Sequence, residues 1–255
     1  MNSNMIFKAE SIDDIWMKLW EAVKDGIKEQ ESRDGNVVWE CIDAHIIMTN
    51  PTRNLSHNKV RDMSIRYAIG EYLWYESASN LLKPIQAFTK GWDRMSDDGI
   101  HVNSNYGHLI KKKYGFDQFD MCHRELLQAP QSRRAVLHYK YPFDFVESPS
   151  KDVPCTLSQQ FIIRDGALHS IVNMRSNDIW NGIPYDIFFF TSNQIKMAML
   201  LNIPIGMYMH NAGSLHMYKR DYETALANES KLSDKNKKHQ MTIKDPRQEY
   251  LIPSI

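Results

Sequence analysis

Cys155 lies in the run VPCTLSQQF (residues 153–161), directly after a proline and just ahead of a strand-like segment. That context puts a thiol at a strand edge or in a loop, where a substrate can reach it, and a thiolate attacks electrophilic carbon well. The competing reading is a small buried hydrophobe, because nothing local besides nearby arginines would lower its pKa. Glu71 has Tyr67, Trp74 and Tyr75 as its neighbours at helical steps of three and four. A carboxyl among aromatic rings loses hydration, so its pKa should rise toward the range where it trades protons at neutral pH.

Other polar groups suit ligand binding. Arg133-Arg134 follow Ser132, and a guanidinium is a planar fork of donors that matches phosphate oxygens. On a period-two strand the two would point to opposite faces, which argues against a shared job within one subunit. Arg175-Ser176 add a guanidinium and a hydroxyl at the end of an apolar run, and Asn177-Asp178 extend it, a pattern equally typical of a turn. Asp186 follows GIPY and precedes an apolar segment, so it also reads as a helix N-cap. His216 and Tyr218 place two polar rings on one side of a possible strand.

The elements that must position these groups follow from periodicity. Ser11 and Asp14 form a capping-box pattern ahead of Ile12, Ile15, Trp16, Leu19 and Val23, predicting an amphipathic helix near the start. A second helix is predicted from about Lys59 to Tyr75, with Val60, Ser64, Tyr67, Glu71 and Trp74 on one stripe. Two strand-like runs between Gln159 and Arg175 flank Asp165-Gly166, a two-residue hairpin signal. Arg133 to Tyr139 reads as a strand, and Ile187 to Leu201 as a helix buried all round. Residues 228–247 read as an exposed polar loop. The expected class is α+β around a mostly antiparallel or mixed sheet.

Composition narrows the function. The 255 residues carry 31 basic and 31 acidic side chains and are 42% hydrophobic, a balance that disfavours a dedicated nucleic-acid binder. No stretch approaches the ~20 apolar residues of a membrane span, and the first ten residues lack signal-peptide features, so a cytoplasmic location is expected. Three cysteines without disulfide or zinc-knuckle spacing fit free thiols, and no metal is expected.

Taken in order, Cys155, Gln160 five residues on, the hairpin, Arg175-Ser176, Asp178, Gly182, Pro184, His210 and GSLHMY (213–218) resemble the thymidylate synthase family. The match runs from roughly Ile15 to Glu223. VNSNYG (102–107), SRR (132–134) and VNMRSND (172–178) are similar, within that family, to the phage deoxycytidylate hydroxymethylases. The resemblance implies a single domain over residues 1–255, a mixed sheet with flanking helices, a sheet-to-sheet homodimer, and 5,10-methylenetetrahydrofolate as co-substrate.

It also implies roles. Cys155 would attack carbon 6 of a pyrimidine, Glu71 would organise water and proton transfer, and Tyr106 would assist proton removal at carbon 5. Arg175 and Ser176 would hold the 5′-phosphate with Gln160 nearby, Arg133 and Arg134 would reach in from the partner subunit, and Arg33 would add a further phosphate contact. His216 and Tyr218 would bind the sugar hydroxyl. Asp178, Trp92 and the apolar tail ending at Ile255 would face the folate.

The chain departs from the synthases where they have asparagine, here Asp186, and where they have glutamine before Arg-Ser, here Met174. A carboxyl can accept from cytosine's amino group and, protonated, donate to its ring nitrogen, whereas an amide suits uracil. Asp186 thus favours cytosine, and the resemblance to the phage hydroxymethylases implies hydration, so that dCMP, methylenetetrahydrofolate and water would give 5-hydroxymethyl-dCMP and tetrahydrofolate. The other readings are a thymidylate synthase or dUMP hydroxymethylase, a CMP hydroxymethylase serving a nucleoside natural product, and a non-catalytic nucleotide- or RNA-binding relative.

Overall fold

The computed structural model of the chain describes residues 3–25, 27–32, 35–141 and 150–232. Arg33, Ile255 and residues 233–247 of the polar stretch lie outside the described residues. The elements run β1 (Ser3–Ala9), α1 (Ile12–Asp25), β2 (Lys28–Glu31), β3 (Val37–Met48), α2 (Ile65–Glu76), α3 (Leu82–Gln86), a 3-10 turn (Gly91–Arg94), α4 (Tyr106–Lys111) and α5 (Gln118–Gln128). They continue with β4 (Val136–His138), β5 (Thr156–Arg164), β6 (Ala167–Met174), β7 (Asn177–Asp178), α6 (Ile183–Leu201), β8 (Ile205–Tyr218) and α7 (Lys219–Ala227).

The strands form one mixed sheet in the order β1-β3-β8-β6-β5-β4, with β2 added to β3 and β7 to β8. β1 runs parallel to β3 and β6 parallel to β8, while β3–β8, β5–β6 and β4–β5 are antiparallel. Helices cover one face. Helix α1 begins where Ser11 Oγ accepts from the Asp14 backbone N–H at 3.2 Å, as the capping pattern requires, and buries Ile12, Ile15, Trp16, Leu19, Trp20 and Val23. Each such side chain contributes roughly 1.5–3 kcal/mol relative to exposure. The opposite face carries Ile6 and Ile42, 66% and 52% exposed, beside a hydrogen-bonded ladder across four strands. That ladder runs from His45 through Asn211 and Asn173 to Ser158.

The hairpin forms as predicted: Asp165 and Gly166 take φ of 51° and 71°, the left-handed pair a two-residue turn needs. Three expected boundaries are corrected. Helix α2 starts at Ile65, not near Lys59, because Asn58 Oδ1 accepts from the Val60 and Arg61 N–H groups and holds a turn. Ser64 then caps the helix by accepting from the Tyr67 N–H at 3.2 Å. The strand expected over 133–139 is shorter, at Val136–His138 with the Ala135 carbonyl and the Tyr139 N–H also bonded to β5, since Gln160 Nε2 satisfies the Arg133 carbonyl and Ser132 Oγ the Arg134 N–H. Helix α6 begins at Ile183 with Gly182 as its cap residue and Pro184 in its first turn, so Asp186 is inside the helix and is not its cap.

Candidate active site

Cys155 sits immediately before β5, where its carbonyl accepts from the Arg175 N–H at 2.9 Å. The Arg175 guanidinium folds back over the same loop, donating to the carbonyls of Pro154 and Val153 at 3.1 and 3.0 Å. Strand pairing therefore fixes an exposed guanidinium beside a half-buried thiol. Burial raises the Cys155 pKa, Arg175 opposes that rise, and Asp186 and Asp152 add to it.

Next along β5, Thr156 donates its hydroxyl proton to Tyr106 Oη at 2.8 Å. The Tyr106 ring stacks on Tyr75 at 5.4 Å, and burial holds its phenol well above its ordinary pKa. This approach of α4 to the end of α2 depends on Gly107, where an added Cβ would fall 1.6 Å from the Tyr75 carbonyl oxygen.

Glu71 is 7% exposed in α2. Burial pushes its pKa up to about 8, with Tyr67 pulling it down and the charge of Asp186 pushing it further up. Tyr67 donates its hydroxyl to Glu71 Oε1, and Trp92 donates its indole N–H to Tyr67 Oη at 2.9 Å. The expectation of a raised carboxyl among aromatics thus describes what the helix builds.

Asp186 keeps partial contact with solvent, yet the surrounding protein pushes its pKa up to about 7, opposed by a hydrogen bond from Asn177. That bond runs from Asn177 Nδ2 to Asp186 Oδ2 at 2.6 Å. Gly182 makes room for it, since a Cβ there would meet Asn177 Nδ2 at 2.7 Å and Asp186 Oδ2 at 3.0 Å. The charge of Asp186 raises the pKa of Cys155, Glu71 and Tyr106 alike.

Beyond this cluster, β7 aligns Asp178 with His216 of β8. Asp178 Oδ1 accepts from the Trp180 and Asn181 N–H groups at 2.7 and 3.1 Å. The His216 ring meets Tyr218 at 5.3 Å, and its buried Nδ1 has no hydrogen-bond partner among the described residues. Ser176 lies half-buried between Arg175 and Asn177. A cavity of about 460 Å³ opens next to the cluster, walled by Tyr67, Trp92, Tyr185, Arg61, Arg94 and Asn181 among others.

Gln160 is not brought there, and Arg133 and Arg134, expected to serve a partner's site, lie away from this chain's own Cys155. Arg133 and Arg134 are exposed, Arg134 is paired with Glu125 at 2.9 Å, and Gln160 is turned to the Arg133 carbonyl. Because β4 pairs with β5 from Gln160 onward, these arginines lie about seven residues along the strand from Cys155, on the order of 20 Å at ~3.3 Å per residue. The sequence alone assigned no partner to Asn177 and no role to Arg61 or Tyr67. Only Tyr67 carried a readable signal, four residues ahead of Glu71 on the same helix face.

The thymidylate synthase family profile matches residues 14–252. The chain is 35% identical over 167 residues to the deoxycytidylate 5-hydroxymethyltransferase of Enterobacteria phage T4, an alignment covering 61% of this chain and 68% of that protein. It is 27% identical over 200 residues to the deoxyuridylate hydroxymethyltransferase of Bacillus phage SP01, covering 74% and 52%, and 28% identical over 217 residues to the thymidylate synthase of Bacillus mojavensis, covering 78% and 76%. Thermostable thymidylate synthase A from Bacillus subtilis has the same fold, with a TM-score of 0.70 at 22% identity over 88% of this chain and 84% of that one. The chain therefore belongs to the thymidylate synthase family, folate-dependent enzymes that transfer one carbon to pyrimidine nucleoside monophosphates.

Proposed function

We propose that this protein is a deoxycytidylate 5-hydroxymethyltransferase, joining dCMP, a methylenetetrahydrofolate carbon and water. The observation that carries this reading is Asp186, raised to about 7 and held by Asn177, where the synthases have asparagine. A carboxyl near its midpoint at neutral pH is available in the protonated form that donates to cytosine's ring nitrogen while its other oxygen accepts from the amino group. The similarity to the phage T4 enzyme supports the same substrate.

The chain's own residues suit the remaining steps. Cys155 passes its proton to solvent and bonds to carbon 6, with the electron pair of the 5,6 double bond moving onto carbon 5; once the exocyclic carbon that the folate would supply is hydrated, the carbon–sulfur bond breaks, the sulfur leaves as thiolate and the 5,6 double bond re-forms. Arg175 and Ser176 hold the 5′-phosphate beside it, and His216 and Tyr218 hold the sugar. Tyr106 faces the proton lost from carbon 5. Glu71 takes a proton from water whose oxygen bonds to the exocyclic carbon, as the pair of that carbon–carbon double bond moves into the ring. The alternative fate, reduction in a synthase, has its support in the similarity to the Bacillus mojavensis enzyme.

The walls of the 460 Å³ cavity match a folate: the flat faces of Trp92, Tyr67 and Tyr185 suit its rings, and Arg61 and Arg94 its carboxylates. Asp178 lies behind Asn181 at its edge, joined by a 3.1 Å bond. When bound, the folate supplies the carbon at the formaldehyde oxidation level. Arg133 and Arg134 serve a second copy's phosphate in a homodimer packed through the uncovered sheet face, which accounts for their distance from Cys155. Purified protein offered dCMP, CMP and dUMP with methylenetetrahydrofolate should turn over dCMP to a product of hydroxymethyl mass. A methylated product, or preference for dUMP, overturns the reading.

A further inference from the structure

Tyr67 occupies a position that neither the covalent step nor base recognition requires. Its hydroxyl is the middle link between Trp92 in the 3-10 turn and Glu71 in α2, and its ring lines the cavity. The direction of this chain is fixed by chemistry. An indole N–H only donates, so Tyr67 Oη must accept from Trp92 at 2.9 Å, and the phenol's single proton is then committed to Glu71 Oε1. Oε1 is an acceptor whether or not Glu71 is ionised, and Tyr75 and Trp92 also hydrogen-bond the ionised carboxyl, so Oε2 is the oxygen that gains or loses a proton.

We propose that Tyr67 is a positioning residue that, oriented by Trp92, reserves Glu71 Oε2 for proton exchange with water and ties that exchange to the cavity in which the folate rings would lie. The inference rests on the reading of Glu71 as the group that activates water. The rings enclosing the link are fixed independently of it. Tyr67 meets Tyr185 edge-to-face at 4.7 Å, and Trp92 meets Trp74 at 5.4 Å. Arg61 lies over the Tyr185 ring at 5.3 Å. The titratable and charged groups facing Glu71 are Tyr67 and Tyr75 from its own helix and Asp186 from α6, with Tyr106 of α4 reaching it through Tyr75. Burial and the Glu71 charge hold the Tyr67 phenol far above its ordinary pKa, so it keeps its proton throughout the working range.

The test is Tyr67→Phe, which retains the ring packing and removes the link. Because Tyr67 donates to the ionised carboxyl, its loss disfavours that form, and the limb of the pH–kcat profile governed by Glu71 should move upward by about one pH unit. At neutral pH kcat should fall about tenfold while the KM for the nucleotide stays within about twofold. Trp92→Phe, which frees the phenol to turn away, should produce a smaller shift in the same direction. The double variant Tyr67→Phe/Glu71→Gln should be no slower than Glu71→Gln alone, since the two act as one unit. A loss equal at every pH, or one that adds to that of Glu71→Gln, overturns the proposal and leaves Tyr67 as packing only. Product mass separates this from the substrate reading: a methylated product from the unaltered protein ends the hydroxymethylase assignment, while the position of the limb still reports on Tyr67.

Discussion

Asp186→Asn should move preference from dCMP toward dUMP, and the structure sets the size of the change. Asn177 Nδ2 donates to one oxygen of residue 186 at 2.6 Å. An amide at 186 must keep its carbonyl oxygen toward Asn177 to preserve that bond, so its NH₂ group turns toward the base. Uracil's carbonyl then gains a donor, whereas cytosine's amino group meets another N–H. One mispaired buried group costs ~1–3 kcal/mol, so the ratio of kcat/KM for dCMP over that for dUMP should fall by about tenfold to 100-fold. The assay is steady-state turnover of both nucleotides at saturating folate, compared as kcat/KM because uniform changes in binding alter KM alone. Folding should survive, since the Asn177 bond and the contact with Gly182 are kept. An unmoved ratio in a normally folded variant refutes the role of Asp186 in reading the base.

Cys155→Ser should abolish product formation while calorimetry still detects nucleotide binding, because a hydroxyl has almost no anionic fraction at neutral pH; turnover above about 1% of normal removes Cys155 from the chemistry. Arg133→Ala and Cys155→Ser subunits, each inactive alone, should recover activity when mixed and allowed to re-form dimers. Hybrids that form and stay inactive rule out phosphate contacts across the interface. Glu71→Gln should stabilise the unliganded protein in alkali. A pKa raised to about 8 gives stability that is full below the unfolded value near 4 and is lost as pH rises through 8. A neutral amide escapes that loss, so melting of the variant should gain on the unaltered protein by roughly 10 °C, on the order of 3 kcal/mol, between about pH 5 and pH 9. Parallel melting curves at the two pH values contradict the buried carboxyl.

What was legible in the sequence was local. The Ser11/Asp14 cap, the Asp165-Gly166 turn and the Tyr67–Glu71–Trp74 part of the stripe each depend on residues at local steps of four or fewer, and each forms in the structure. The thymidylate synthase likeness added the order of the polar landmarks. Side-chain substitutes for backbone pairing were harder to read. Gln160 on the Arg133 carbonyl and Asn58 in the turn before α2 join residues whose partnership depends on tertiary placement or on a competing local bond, and both shorten elements that periodicity extends. The Asn177–Asp186 bond spans nine residues and exists only because β7 turns into α6 across Gly182. Trp92 lies in a short turn without periodicity, and its link to Tyr67 across 25 residues has no sequence signature.

Helix α6 is fastened to the sheet along its length. Gln159 donates to the Phe190 carbonyl at 2.9 Å, and Gln194 donates to the carbonyls of Leu168, Gly206 and Met207 at 2.8, 3.2 and 3.2 Å. Residue 186 rides on the first turn of this helix, so on the proposed reading the side chain that would face the base is carried by a helix held to the sheet at Phe190 and Gln194. Discrimination between pyrimidines then becomes a matter of side-chain exchange at one address on a fixed scaffold. A lineage can change the base it accepts without rebuilding the pocket, because the Asn177 donor suits an oxygen of residue 186 whether that residue is a carboxyl or an amide.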